Sequence, residues 1–192
     1  LESHGNHVSP DQRTKARVVF YDNKQGRASI ASKPDYDGFG TINVRGHSTK
    51  DWPKQSYSFH LTDASGTQIS APLLGLPSEE DWILYAPFED KTLVRDVLAY
   101  ELSRRIGQYA PRTRYVELFL KQRSRGDGKI SMRHYMGVYV LVERIKRDKS
   151  RVNVAKLTPE DNGEPKISGG YIAKRDHSEG GGGRFPTQRG GP

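Results

Sequence analysis

Residues 41–61 read Thr-Ile-Asn-Val-Arg-Gly-His-Ser-Thr-Lys-Asp-Trp-Pro-Lys-Gln-Ser-Tyr-Ser-Phe-His-Leu. Thr41 to Arg45 alternates, with Ile42 and Val44 on one face. Gln55 to Leu61 alternates more cleanly: Tyr57, Phe59 and Leu61 face one way, Ser56, Ser58 and His60 the other. A period of two is the pattern of a half-buried strand. Gly46 to Pro53 breaks it with Gly, Ser, Thr and Pro, so two strands joined by a turn of small residues are expected. Such a turn can offer backbone N–H groups to a phosphate. Arg45 can add a bidentate grip and Lys54 a point charge. Taken alone, an ordinary hairpin with two surface cations fits these residues better, because neither GxGxxG nor GxxxxGK[ST] is present.

Strand-like segments continue on both sides. Ala16 to Tyr21 is rich in Val and aromatics, and residues 1–15, polar with Pro10 and two histidines, read as a flexible lead-in. Lys33 to Gly40 holds Pro34 and two glycines and reads as a loop. Asp63-Ala64-Ser65-Gly66 is a turn, with Thr67 to Ile69 returning antiparallel. Trp82 to Tyr85, Arg114 to Leu120, Tyr135 to Val142 and Ser168 to Lys174 are further strand candidates, and Lys121 to Lys129 suits a long hairpin loop. One helix stands out. Asp90 can cap it, Leu93 to Ile106 carry an apolar stripe, Arg104 and Arg105 complement its C-terminal dipole, and Gly107 can end it. Strands with one helix inserted among them give an α+β fold, mainly antiparallel sheet with one prominent helix.

The spacing raises a possible pairing. Glu101 lies four residues after Val97 and three after Leu98, near their helix face. A carboxylate there needs a partner if buried. Lys54 from a facing strand is one candidate, and a strand lysine paired with a helix glutamate is how kinase small lobes hold ATP phosphates. A place at the stripe's edge, meeting solvent or Arg105, fits Glu101 equally well. Glu143 ends the apolar run Gly137 to Val142 and can mark either a hinge near a nucleotide base or a strand-end surface charge.

Composition narrows the classes. The chain has 192 residues, 33% hydrophobic and 28% charged, with no cysteine. Disulfides, thiolate nucleophiles and Cys-based zinc sites are excluded. No apolar run is long enough to span a membrane as a helix. The six histidines are scattered without metal-ligand spacing, and no GxSxG elbow appears. The net charge of +8 is uneven: residues 104–175 hold 18 Lys/Arg against 7 Asp/Glu, whereas residues 1–103 hold 11 against 14. A basic half can meet phosphate, nucleic acid or an acidic partner, or be a solvated surface. Tyr109, Arg112, Arg114 and Tyr115 interleave base and aromatic, but no RNA-binding motif accompanies them, so a nucleic-acid partner is not expected. The Gly-rich residues 177–192 read as a flexible tail.

Taken together, the segments resemble the CotH kinase-like family. The resemblance is carried, in order, by Ile42–Ser48 with Trp52–Tyr57, Leu74–Pro77 with Asp81–Leu84, Asp90–Leu102, Ala110–Arg114 with Val116-Glu117, Gly137–Tyr139 with Glu143–Lys146, and Ser168–Ile172. No one block is specific, but the ordered set over residues 16–176 is. It implies a protein-kinase-like small lobe, cut before most of the large lobe. It also implies ATP with Mg or Mn as cofactors, phosphoryl transfer to Ser or Thr of a surface or coat protein, and a secreted, cell-surface or spore-coat setting. A non-catalytic binding module on the same fold is the alternative. Under this resemblance Arg45, Gly46 and Ser48 belong to the segment covering the phosphates. Lys54 becomes the ATP lysine, Glu101 its helix partner, and Glu143 lies near the hinge. His47 stands where the family often has Asn or Ser. The aspartates that hold metal and face the substrate hydroxyl are expected beyond Pro192, and Asp176 fills neither role. The 192-residue chain is therefore expected to bind ATP weakly and catalyse little. It begins at Leu1 without Met or a signal pattern, as a trimmed chain would, which says nothing about secretion.

Overall fold

The computed structural model describes residues 1–24, 26–122, 129–168 and 170–172. It divides into two compact units, Leu1–Ile145 and Lys146–Pro192, a boundary inside the span expected to be one domain. The first unit holds β1 (Thr14–Phe20), β2 (Tyr36–Arg45), β3 (Ser56–Thr62), β4 (Asp81–Tyr85), α1 (Arg95–Arg105), β5 (Thr113–Phe119) and β6 (Tyr135–Glu143). The strands form one sheet in the order β1-β2-β3-β4-β6-β5, and every neighbouring pair is antiparallel. The fold is α+β.

Alternation decides what each face carries. On the inner face Val44 pairs with Tyr57, Tyr57 with Leu84, and Leu84 with Leu141. These residues, with Phe59, Trp82 and Tyr139, are at most 2% exposed and form the core. Burying them is the main stabilising contribution, at about 25 cal/mol per Å² of apolar surface. The outer face carries Arg45 opposite Ser56, Asn43 opposite Ser58 and Thr41 opposite His60 on β2 and β3. Ile83 opposite Val142 and Tyr85 opposite Val140 continue it on β4 and β6. It is therefore polar on the β2–β3 side and apolar on the β4–β6 side.

The lead-in is packed, contrary to expectation. Glu2 bridges Arg17 of β1 on one side and Lys121, just past β5, on the other. The bonds are Glu2 N–H to Arg17 O at 3.0 Å and Ser3 N–H to Lys121 O at 3.0 Å. The two edge strands are thus one strand's width apart, and the sheet curls round on itself. Ser3 and Val8 are 0% and 1% exposed. A polar composition hid this, because the contacts are made largely by backbone and polar side chains, with Leu1 and Val8 as the apolar anchors.

β2 starts five residues earlier than its alternation suggests. The glycines that read as loop are required inside the strand. A Cβ on Gly40 would lie 2.4 Å from the His60 carbonyl oxygen, and one on Gly38 would strike the Tyr36 ring. The Asp63–Gly66 turn forms as expected, with Asp63 Oδ1 accepting from Ser65 and Thr67 N–H, and the return makes an antiparallel bridge from Thr62 to Gln68.

α1 departs from expectation in its orientation. Asp90 does hold the start, accepting the Arg95 N–H at 2.9 Å, and Gly107 does adopt a positive φ of 80°. The apolar stripe, however, faces outward: Val94, Leu98, Leu102 and Ile106 are 46–75% exposed, and no residue of α1 is buried. The turn offset of about 100° per residue puts Asp96, Val97 and Tyr100 towards the sheet instead.

The second unit is irregular among its described residues. Asp148 Oδ1 organises a turn through Ser150 and an ion pair to Arg151 at 3.2 Å. Asp161 is held by Thr158 and by Lys166 at 2.6 Å. Of the strand expected over Ser168–Lys174, the described positions 168 and 170–172 are not strand. The remainder, Asp176 and the Gly-rich tail lie outside the described residues. No described helix is long and apolar enough to cross a membrane.

Candidate functional site

A cavity of about 360 Å³ opens between the outer face of the sheet and α1, within the range of roughly 300–1,000 Å³ usual for small-molecule sites. Its floor is apolar: Ile83, Val140 and Val142 from the sheet, with Val97 of α1 and Ile145 at the edge. Its polar groups come from the β2–β3 turn, with Arg45, Gly46 and Thr49, and from Tyr85, Asp96 and Tyr100. Gly46 has φ of 115°, and a Cβ there would meet Thr49 Oγ1 at 2.0 Å. Only glycine lets the Thr49 hydroxyl fold back against the turn.

The electrostatics are set by partial burial. Burial and the nearby Arg144 both disfavour the charged form of Arg45, and Tyr100 opposes them weakly. Arg45 has no hydrogen bond among the described residues. Burial raises the Tyr85 hydroxyl strongly, helped by its hydrogen bond with Asp96, and Tyr100 is raised for the same first reason. Both tyrosines are therefore neutral donors at physiological pH.

Of the six residues singled out from the sequence, Arg45, Gly46 and Glu143 border this cavity. Ser48 sits exposed in the turn and does not line it. The expected Lys54–Glu101 pair does not form. Lys54 Nζ donates to the Val138 carbonyl at 2.6 Å and lies 4.8 Å from the centroid of the Tyr139 ring, a fully buried side chain of the core. Glu101 instead takes Arg104 at 2.7 Å and Arg105 at 2.9 Å on its own helix. The physical reason is the orientation of α1: its cavity side presents Asp96, Val97 and Tyr100, so Glu101 meets its i+3 and i+4 neighbours. Lys54 caps the core beyond the end of β4, while α1 covers the outer face.

Glu143 is neither a ligand group on offer nor a surface charge. Its side chain is 0% exposed and receives the Arg112 guanidinium at 2.6 and 2.9 Å and the Arg112 N–H at 3.0 Å. It ties the strand leading into β5 to the end of β6. Sequence reading missed this pair because its members are 31 residues apart and no periodicity links them.

A second polar group escaped the sequence reading. His60 Nε2 lies 2.7 Å from Asp81 Oδ1, and Gln68 Nε2 bonds His60 Nδ1. The amide donor at Nδ1 fits a neutral imidazole with its proton on Nε2. Burial lowers its tendency to protonate, as do Arg13 and Arg144, against Asp81 and Glu80. The alternation Ser56-Ser58-His60 already put His60 on the outer face; its partner could not be read.

Glu79, Glu80 and Asp81 bring three carboxylates within 4.8 Å of one another. Glu79 Oε1 is taken by the Glu80 and Asp81 N–H groups at 2.7 and 3.0 Å, and Asp81 by His60 and, at 3.8 Å, Arg144. Glu79 Oε1 is thus engaged by backbone and Asp81 by two side-chain cations or donors, whereas a nucleotide-bound divalent cation takes one or two carboxylates and several waters. A second hollow, of about 1,030 Å³, opens between β1 and β5. Its arginine on β1, Arg17, is already clamped by Asp37 at 2.6 Å.

No curated protein matches the chain. The family model for CotH kinase protein matches residues 42–183, a span that runs from the end of β2 through β3, β4, α1, β5 and β6. The chain belongs to the CotH kinase protein family.

Proposed function

We propose that the cavity between the outer sheet face and α1 is the nucleotide site of an atypical protein kinase of the CotH type, and that the first unit serves as its small lobe. The reading rests on Arg45: a half-buried guanidinium without a hydrogen bond among the described residues, at the rim of a pocket with an apolar floor. A flat base fits against Ile83 and Val142, and a phosphate satisfies Arg45 with the N–H groups of the Gly46–Thr49 turn. ATP would supply the phosphoryl group when bound. The residues of the chain hold and orient it, and the neutral hydroxyl of Tyr100 can donate to it, while that of Tyr85 is given to Asp96. Family membership supports phosphoryl transfer to a protein hydroxyl as the reaction.

The test contrasts two cations. In titrations of the chain with MgATP, Arg45→Ala is expected to weaken binding about tenfold or more, the loss of roughly 1.4 kcal/mol from a charge-assisted contact. Lys54→Ala is expected to leave affinity within about twofold, because its ammonium is already bonded on the core side. The reverse pattern would return the phosphate site to Lys54.

A further inference from the structure

Arg45 is not the only cation on the outer face. The strand register sets three arginines around one point. Thr14 pairs with Ile42, so Arg13, one residue earlier, arrives beside Asn43, which pairs with Ser58. Arg45 lies two residues further along β2 on the same face. Trp82 pairs with Glu143, which brings Arg144 beside Asp81 on the opposite flank. Arg13, Arg45 and Arg144 therefore approach the Ser58 position from three sides. Each is close enough to weigh on another: Arg144 disfavours the charge on both Arg13 and Arg45.

Neither Arg13, Arg45 nor Arg144 makes a hydrogen bond among the described residues, and neither does the Ser58 hydroxyl. One acid offsets part of this charge: Asp81 favours the charged form of Arg13 and meets Arg144 at 3.8 Å, with His60 at 2.7 Å on the same carboxylate, whereas Arg45 has no carboxylate acting on it. Arg45 is half-buried while Arg13 and Arg144 are exposed, and like charges gathered on one face repel one another at a cost that a polyanion would recover. Arginine forks suit phosphoryl oxygens in geometry as well as in charge.

We propose that Arg13, Arg45 and Arg144, with the Ser58 hydroxyl, form an oxyanion seat that takes the phosphate chain of a nucleotide. The inference rests on the nucleotide reading of the cavity and adds to it where the phosphates run: out across β2 and β3, away from Lys54. Ile83 and Val142 belong both to the cavity floor and to the row containing Ser58, so base and phosphates would share one continuous surface.

Three probes separate the two claims: MgATP, adenosine and inorganic tripolyphosphate, each titrated at low ionic strength into the chain and into its Arg13→Ala/Arg144→Ala variant. A Lys149→Ala/Lys156→Ala variant matches the change in net charge, and thermal melts check folding. The double arginine variant is expected to lose tenfold or more in affinity for MgATP and tripolyphosphate and to bind adenosine unchanged. The lysine control should bind all three as the parent does. Unchanged MgATP and tripolyphosphate affinity in the arginine variant would overturn the seat and leave the nucleotide reading standing. Tripolyphosphate binding that depends on both arginines, with no extra affinity for MgATP and none for adenosine, would keep the seat and end the nucleotide reading. A loss equalled by the lysine control would reduce the effect to net charge and overturn the seat.

Discussion

Replacing Arg112 with alanine is expected to destabilise the chain by about 3–5 kcal/mol, the usual result of stranding one member of a buried ion pair. Glu143 would be left with no solvent access and with its bidentate partner gone, while the Arg112 backbone N–H stays in place. Total stability of a domain this size is about 5–15 kcal/mol, so the variant should sit close to its unfolding threshold. Urea denaturation of the parent, of Arg112→Ala and of an Arg112→Met/Glu143→Leu double variant separates pair strength from desolvation. Apolar replacement of both partners should recover most of the loss. A single-variant loss below about 1 kcal/mol would mean that Glu143 is hydrated. The cavity would suffer too, because this pair fixes Pro111 and Thr113, which border it, against the end of β6.

Trp82→Ala should be comparably severe, at about 3–5 kcal/mol. Trp82 is 1% exposed and lies between Phe59 on β3 and Glu143 on β6 in the strand register. Its Nε1 donates to the Glu79 carbonyl at 3.0 Å. Truncation would leave a void in the centre of the inner face and remove one of the hydrogen bonds to the Glu79 carbonyl, which also accepts the Ala71 N–H at 3.2 Å. Trp82→Phe keeps most of the volume and should lose clearly less. Equal denaturation midpoints for the parent and Trp82→Ala would contradict the placement of Trp82 at the core.

Period-two alternation was enough to identify the inner face of β3, because Tyr57, Phe59 and Leu61 are apolar and Ser56, Ser58 and His60 are not. It failed on β2, where Gly38 and Gly40 are needed by close backbone approach and read as loop residues. It also failed on residues 1–13, whose packing is mostly backbone pairing to both sheet edges. The helix was legible in extent through Asp90 and Gly107. Its orientation was not, since an apolar stripe marks a face that can be covered and does not say that the sheet covers it. The same ambiguity misdirected the site. Glu101 was paired with Lys54 on the assumption that the stripe faced inward, whereas the structure turns Tyr100 and Asp96 to the cavity. Arg45 and Gly46 were legible as a turn after a strand. The contacts of Arg112 with Glu143 and of His60 with Asp81 needed the register.

The central claim is that a nucleotide occupies the outer face of the sheet beneath α1. Backbone amide chemical shifts of the chain, followed during titration with MgATP, test it most directly. The account predicts that the largest changes fall on Gly46, Thr49, Val97, Tyr100 and Val142. Changes centred instead on Lys54 and Gly137–Tyr139, or none anywhere at millimolar MgATP, would contradict it.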